Sequence, residues 1–167
     1  MDSTKSFIKV YGVTPREAED FEFDYDTETS DILQQLVPNN DDWGGIGWIE
    51  FEEYEYNPHR ETMHLVLETK WEPPTVWLQN ASGATHYFKD KLVTMATIQK
   101  DETCATGVAV KNGEALQNKI IFEMTSEEVG AYYDEDTGEG IDLLDNKIWD
   151  SIGHFLNVCE QFYLGKD

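Results

Sequence analysis

Two runs of the chain alternate acids with aromatics closely enough to act as one charged array. The first is Phe21-Glu22-Phe23-Asp24-Tyr25-Asp26; the second is Glu50-Phe51-Glu52-Glu53-Tyr54-Glu55-Tyr56. In an extended strand, residues two apart point to the same side at a spacing of about 6.6–6.8 Å. Phosphates along one DNA strand rise about 3.4 Å each while winding around the axis, so their through-space spacing is comparable. Glu22, Asp24, Asp26, Glu50, Glu52, Glu53 and Glu55 therefore carry the charge and spacing to imitate a run of phosphates. Trp43 and Trp48 flank a glycine-rich turn between the two runs. Large aromatics beside acids are the residue types that anchor protein interfaces. A plainer reading makes the acids the wet face of an antiparallel sheet and the tryptophans core anchors. A wet face ordinarily mixes both signs of charge, whereas Glu17 to His59 holds fourteen carboxylates and no Lys or Arg.

Templates for covalent or metal chemistry are missing. Gly44-Gly45-Ile46-Gly47 lacks the lysine and Ser/Thr of a phosphate-binding loop and is not G-x-G-x-x-G. Neither a G-x-S-x-G elbow nor an H-E-x-x-H pair occurs. His59, His64, His86 and His154 fall on different elements without ligand spacing, so no metal or other cofactor is expected. Asp134-Glu135-Asp136-Thr137-Gly138 has the look of a calcium loop, but Gly138 stands where Asp or Asn is required and no Glu follows at position 12. Cys104 and Cys159 are far apart and sit in apolar patterns, which favours reduced, buried thiols. With so many carboxylates, any two of them could be offered as an acid/base pair, which leaves that signal without specificity.

The whole composition repeats the local theme. There are 34 acids against 12 Lys and Arg, a formal charge of −22 on 167 residues. Such a charge opposes compaction and contributes to solubility, association kinetics and choice of partner. The apolar share of 40% and the aromatic share of 13% separate the chain from disordered acidic tails, so the charge has to coat a folded core. A second acidic stretch, Ile120 to Asn146, holds nine acids and no base. Phosphate neutralisation needs clustered cations. Weak nucleic-acid contact is thus confined to the middle third, where Arg60, Lys70, Lys89, Lys91, Lys100, Lys111 and Lys119 lie. Anionic membranes are disfavoured for the same reason, and no apolar run reaches the 18 residues of a span. The polar start Met-Asp-Ser-Thr-Lys has no apolar core of a secretory signal, so the expected compartment is a reducing bacterial cytoplasm.

The elements that must position these residues read as follows. Ser6 to Val13 is a strand, and Thr14-Pro15-Arg16-Glu17 has the form of a helix start leading to one or two turns. Phe21 to Asp26 reads as a strand by its alternation. Ser30 to Leu36 forms a short helix ended by Pro38, and Asp41 to Gly47 a turn. Trp48 to Tyr56 is a strand whose alternation slips between Glu52 and Glu53, the mark of a bulge. Met63 to Trp71 is a further strand, and Pro73-Pro74 opens a helix through Val76, Trp77 and Leu78. Lys91 to Ile98, Thr106 to Lys111 and Lys119 to Met124 are strands, with a turn at Asn112-Gly113. Ile141, Leu144, Ile148, Ile152, Phe155, Cys159 and Phe162 recur at helical spacing, and Gly165 is placed to end that helix. The expected organisation is an α+β domain over residues 1–140 with a C-terminal amphipathic helix, 141–165, packed on it.

Several of these residues resemble a family of uncharacterised phage and plasmid proteins built on a ferredoxin-like α+β domain. Leu36-Val37-Pro38, Trp43-Gly44-Gly45-Ile46-Gly47-Trp48 and Thr69-Lys70-Trp71-Glu72-Pro73-Pro74 are similar to its successive motifs, as is a hairpin bearing Gly107 and Gly113. The likeness covers residues 32 to 115 and departs from the family in the acidic block Glu50 to Glu55. It implies a ferredoxin-like fold with a mainly antiparallel sheet and a mobile-element origin, and assigns no active site. In size and acidity the chain is also similar to T-even phage proteins that shut off the host by making its RNA polymerase terminate on unmodified host DNA. That likeness rests on gross properties and transfers no residue roles.

The expectation is a non-enzymatic binder of a host protein that has a basic nucleic-acid-handling surface. RNA polymerase leads, contacted through the seven acids with Trp43 and Trp48 adjacent, and the outcome is host transcription shut-off. The alternative is a DNA mimic that fills the groove of a restriction, CRISPR or repair nuclease. A small carboxylate hydrolase is a third possibility and requires a concave pocket holding an acid of raised pKa.

Overall fold

A computed structural model describes residues 3–27, 49–70, 73–84, 86–99, 104–123, 127 and 139–165. In chain order its elements are β1 (Ser3–Tyr11), α1 (Pro15–Thr27), β2 (Ile49–Asn57), β3 (Thr62–Lys70), α2 (Thr75–Ala84), β4 (Val93–Gln99), β5 (Cys104–Lys111), β6 (Glu114–Glu123) and α3 (Glu139–Leu164). The six strands form one sheet in the order β2-β3-β1-β4-β5-β6, and every neighbouring pair is antiparallel. Strands β1 to β4 with α1 and α2 reproduce the ferredoxin-like βαββαβ arrangement. The hairpin of β5 and β6 widens that sheet beyond β4, and α3 follows. No described helix is long and apolar enough to cross a membrane.

The start of α1 follows directly from sequence. Thr14 Oγ1 accepts a hydrogen bond from the Glu17 amide (3.3 Å), and Glu17 Oε1 accepts from the Thr14 amide (3.1 Å). This reciprocal box satisfies two otherwise orphaned donors. The helix does not stop after two turns. It continues through Phe21-Glu22-Phe23-Asp24-Tyr25-Asp26, the segment whose alternation predicts a strand. Packing decided the outcome: Ala18 and Phe21, three apart, both bury against the sheet, while Glu22 and Phe23 stay exposed. Alternation reports a period of two only where the segment pairs with a neighbouring strand, and this segment joins none of the six strands of the sheet.

Each face of the sheet carries its own core. On the first face, α1 and α2 bring Ala18, Phe21, Trp77, Leu78 and Ala81 onto Ile8, Val10, Leu65, Leu67, Met95 and Val108. On the second, α3 lays Ile148, Ile152, Phe155 and Cys159 over Ala96, Ala105 and Ala109. Small side chains on β4 and β5 let this helix approach closely. A Cβ on Gly107 would stand 2.8 Å from the Phe155 ring, inside any permitted contact. Gly165 (φ 65°) ends α3 in the left-handed conformation that glycine adopts without strain.

Other expectations hold with shifted ends. The helix after Pro73-Pro74 is α2, the Asn112-Gly113 turn joins β5 to β6, and β6 starts five residues before the predicted Lys119. Both cysteines are free; Cys159 is buried and Cys104 half-buried. The predicted helix at 30–36, the turn at 41–47, Trp43, Trp48 and the acidic loop at 134–138 lie outside the described residues.

Candidate protein-docking face

The bulge anticipated between Glu52 and Glu53 is present. Phe51 pairs with Leu67 and Glu53 with the next residue, Val66, leaving Glu52 as the extra residue on β2. Its consequence is chemical. Without the slip, Glu50, Glu52, Glu53 and Glu55 could not all share one face. With it, Glu50 lies opposite Glu68, Glu53 opposite Val66 and Glu55 opposite His64, all on the side of the sheet that α3 occupies further along. Glu52 joins them by its ion pair to Lys5 at 3.1 Å. Tyr54 and Tyr56 turn the other way, and their hydroxyls donate to the Ala18 and Val13 carbonyls (3.4 and 2.7 Å).

Helix α3 covers the second face over β4 to β6, and among the described residues nothing covers it over β2 and β3. A groove of about 590 Å³ remains there, with Phe7, Val66 and His64 as floor and Glu52, Glu53 and Glu55 along the edge. Trp149 of α3 packs edge-on against Phe7 of the groove floor, 4.9 Å between ring centroids, and is still 44% exposed. Lys9 does not serve the acidic strand, because it is held by Glu160 of α3 at 3.0 Å.

Local electrostatics show a surplus of negative charge. Glu50 and Glu68 are directly opposed across the β2–β3 ladder, an arrangement that destabilises a sheet when both are ionised. The Glu52 carboxyl, which lines the groove, is held above the ordinary carboxylate range. Its hydrogen bond with Glu68 contributes most, burial adds, and Lys5 opposes both. The groove thus meets the pocket requirement of the hydrolase reading at a single acid and, among the described residues, supplies no second acid of shifted pKa. The His64 imidazole is pushed down by burial first and by Lys9 second, with Glu55 pulling it back, so it adds no cation near neutral pH. Lys5 pairs with Glu52 at 3.1 Å and lies opposite Glu68 across the β1–β3 ladder, one cation set among five glutamates.

The seven acids expected to act together do not lie together. Glu50, Glu52, Glu53 and Glu55 form the row just described. Glu22 sits on α1, across the sheet from that row, and the backbone places Asp24 and Asp26 on the same helix. Residues two apart on a helix diverge by about 200°, so α1 cannot offer a strand-like row. Sequence reading missed two residues that the fold brings in. Glu68 was hidden because nothing local says which strand lies opposite Glu50. Trp149 had a usable signal: it directly follows Ile148 at the margin of the buried α3 stripe, where a large aromatic is half-covered.

Among the described residues no three His, Cys, Asp or Glu side chains converge as a metal site. No family model, curated protein or solved structure matches the chain.

Proposed function

We propose that the chain is a non-enzymatic binding protein whose open β2–β3 face docks on a basic, nucleic-acid-handling surface of a host protein, RNA polymerase first among them. The observation that carries this reading is Glu68. Acids and a bulge on β2 alone would be explained by the need to keep an edge strand from pairing with another chain. Glu68 is on β3, an interior strand, opposite Glu50 and hydrogen-bonded to Glu52. Edge protection gives no reason for a third carboxylate there. An arginine or lysine from a partner would relieve the Glu50–Glu68 opposition, favour the ionised form of Glu52 and be steered in by the overall charge. Trp149 and Phe7 beside the row supply the aromatic contact that charge alone does not.

The nuclease-inhibiting DNA mimic is favoured by one feature, the spacing of carboxylates along β2, which matches phosphate more than it matches any single ion pair. Affinity capture from bacterial lysate separates the two. Polymerase subunits are expected; a restriction, CRISPR or repair nuclease in their place supports the mimic. Replacing Glu50, Glu52 and Glu55 together by lysine should abolish capture while the circular dichroism spectrum stays unchanged. Capture that survives this reversal, or that persists in molar salt, would end both readings.

A further inference from the structure

At the end of the sheet where β1 and β5 finish, the charge ratio of the molecule inverts. Arg60, Lys89, Lys91 and Lys111, four of the chain's 12 Lys and Arg, line one cavity of about 610 Å³ together with the acids Glu61 and Asp90. Over the whole chain acids outnumber Lys and Arg 34 to 12, so cations outnumbering acids four to two around one cavity is a local departure. These cations come from three separate turns: 58–61 between β2 and β3, 86–92 between α2 and β4, and the β5–β6 hairpin. Each turn holds a non-glycine residue in the left-handed region beside its cation, namely Glu61 (φ 51°), Asp90 (φ 61°) and Asn112 (φ 50°). Such strain persists only where surrounding structure imposes it. Asn112 also ties two of the turns, accepting from the Asp90 amide at 2.8 Å and donating to its carboxylate at 3.1 Å.

One cation is already committed: Lys91 donates to Glu17 at 2.6 Å. Arg60, Lys89 and Lys111 have no carboxylate within 4.0 Å among the described residues. In a chain with almost three acids per base, three cations around one cavity that form no ion pair among the described residues, with only Glu61 and Asp90 beside them in its lining, point to an anion from outside the chain.

We propose that this cavity binds a compact phosphate-bearing anion of about mononucleotide size. Its volume lies within the roughly 300–1,000 Å³ typical of small-ligand sites. An arginine fork with two lysines is the side-chain chemistry that phosphate selects. Leu92 and Leu164 give an apolar wall. The carbonyl end of α3 reaches the cavity at Leu164, and its partial negative charge of about half an electron, added to Glu61 and Asp90, still leaves Arg60, Lys89 and Lys111 in excess. Extended nucleic acid fits poorly, because phosphates running beyond the cavity would meet the acidic surface within a screening length of about 8 Å. The site is independent of the docking face, sharing no residue with it.

Isothermal titration calorimetry on the full chain tests this with three probes: inorganic tripolyphosphate, a nucleoside triphosphate and a single-stranded oligonucleotide. Saturable one-site binding of tripolyphosphate is expected, weakened at least tenfold by Lys89→Ala with Lys111→Ala and recovered by Lys89→Arg with Lys111→Arg. Both lysines are exposed, so their removal leaves the fold intact, which a thermal melt verifies. Tighter binding of the nucleoside triphosphate would add a base to the ligand; equal binding would assign phosphate alone. Absence of binding by both phosphate probes at millimolar concentration overturns the proposal. So does an unaltered affinity in the alanine variant, or binding confined to the oligonucleotide.

Discussion

The second face of the sheet is split into two halves that differ in side-chain size and charge, and their fates differ accordingly. Over β4 to β6 it presents Ala96, Ala105, Gly107 and Ala109, and α3 lies on them. Over β2 and β3 it presents Glu50, Glu52, Glu53, Glu55 and Glu68, and no described element covers it. Burying an unpaired carboxylate costs far more than burying a methyl group returns. Helix α3 therefore closes the first half, and among the described residues nothing closes the second. The half left open is where a cation from elsewhere has something to gain.

This contrast can be broken from either side. The largest effect is expected from Phe155→Ala, which empties the contact between α3 and β5 and should cost about 3–5 kcal/mol in denaturant unfolding. Glu53→Ala on the open half should stay within about 0.5 kcal/mol. If the two cost the same, the division into a packed and an open half is wrong. Gly107→Ala comes next: its methyl meets the Phe155 ring, and overpacking of this kind costs about 1–3 kcal/mol, with a change in Trp149 fluorescence as α3 shifts. Thr14→Ala removes one side of the α1 capping box, at about 1 kcal/mol.

The smallest effects lie in the pH dependence. The Glu52 pKa is raised in the fold, so its unfavourable contribution is absent below the ordinary carboxylate range and sets in as pH rises through the folded value. Glu52→Gln should thus stabilise the protein at neutral pH and flatten that slope; a variant less stable at pH 7 would contradict the surplus of charge. His64 behaves in the opposite sense. Its folded pKa is lowered, so stability is full above the ordinary histidine range and falls as pH drops through it. His64→Gln should remove that loss in urea melts between about pH 7 and 5.

Residues that act through local geometry were legible in the sequence. The capping box at Thr14 and Glu17, the helix after Pro73-Pro74, the bulge at Glu52 and the α3 stripe all depend on neighbours within a few positions. The strand expected at Phe21 to Asp26 failed because alternation cannot specify which partner is present, and the burial of Ala18 with Phe21 settled the matter for a helix. The candidate site was half legible for the same reason. Its β2 acids form a local run, but Glu68 and Trp149 join them only through strand order and helix packing.

The sequence by itself determined that this molecule is folded, acidic and slipped by one residue in its acidic strand, because composition and periodicity are properties of the chain read in order. Only the tertiary structure decided which charges meet. Opposition across a ladder and convergence of turns at one end of a sheet are distances between residues far apart in sequence. It placed Glu68 against Glu50, moved Glu22 to the other side of the sheet, and gathered Arg60, Lys89 and Lys111 into one cavity.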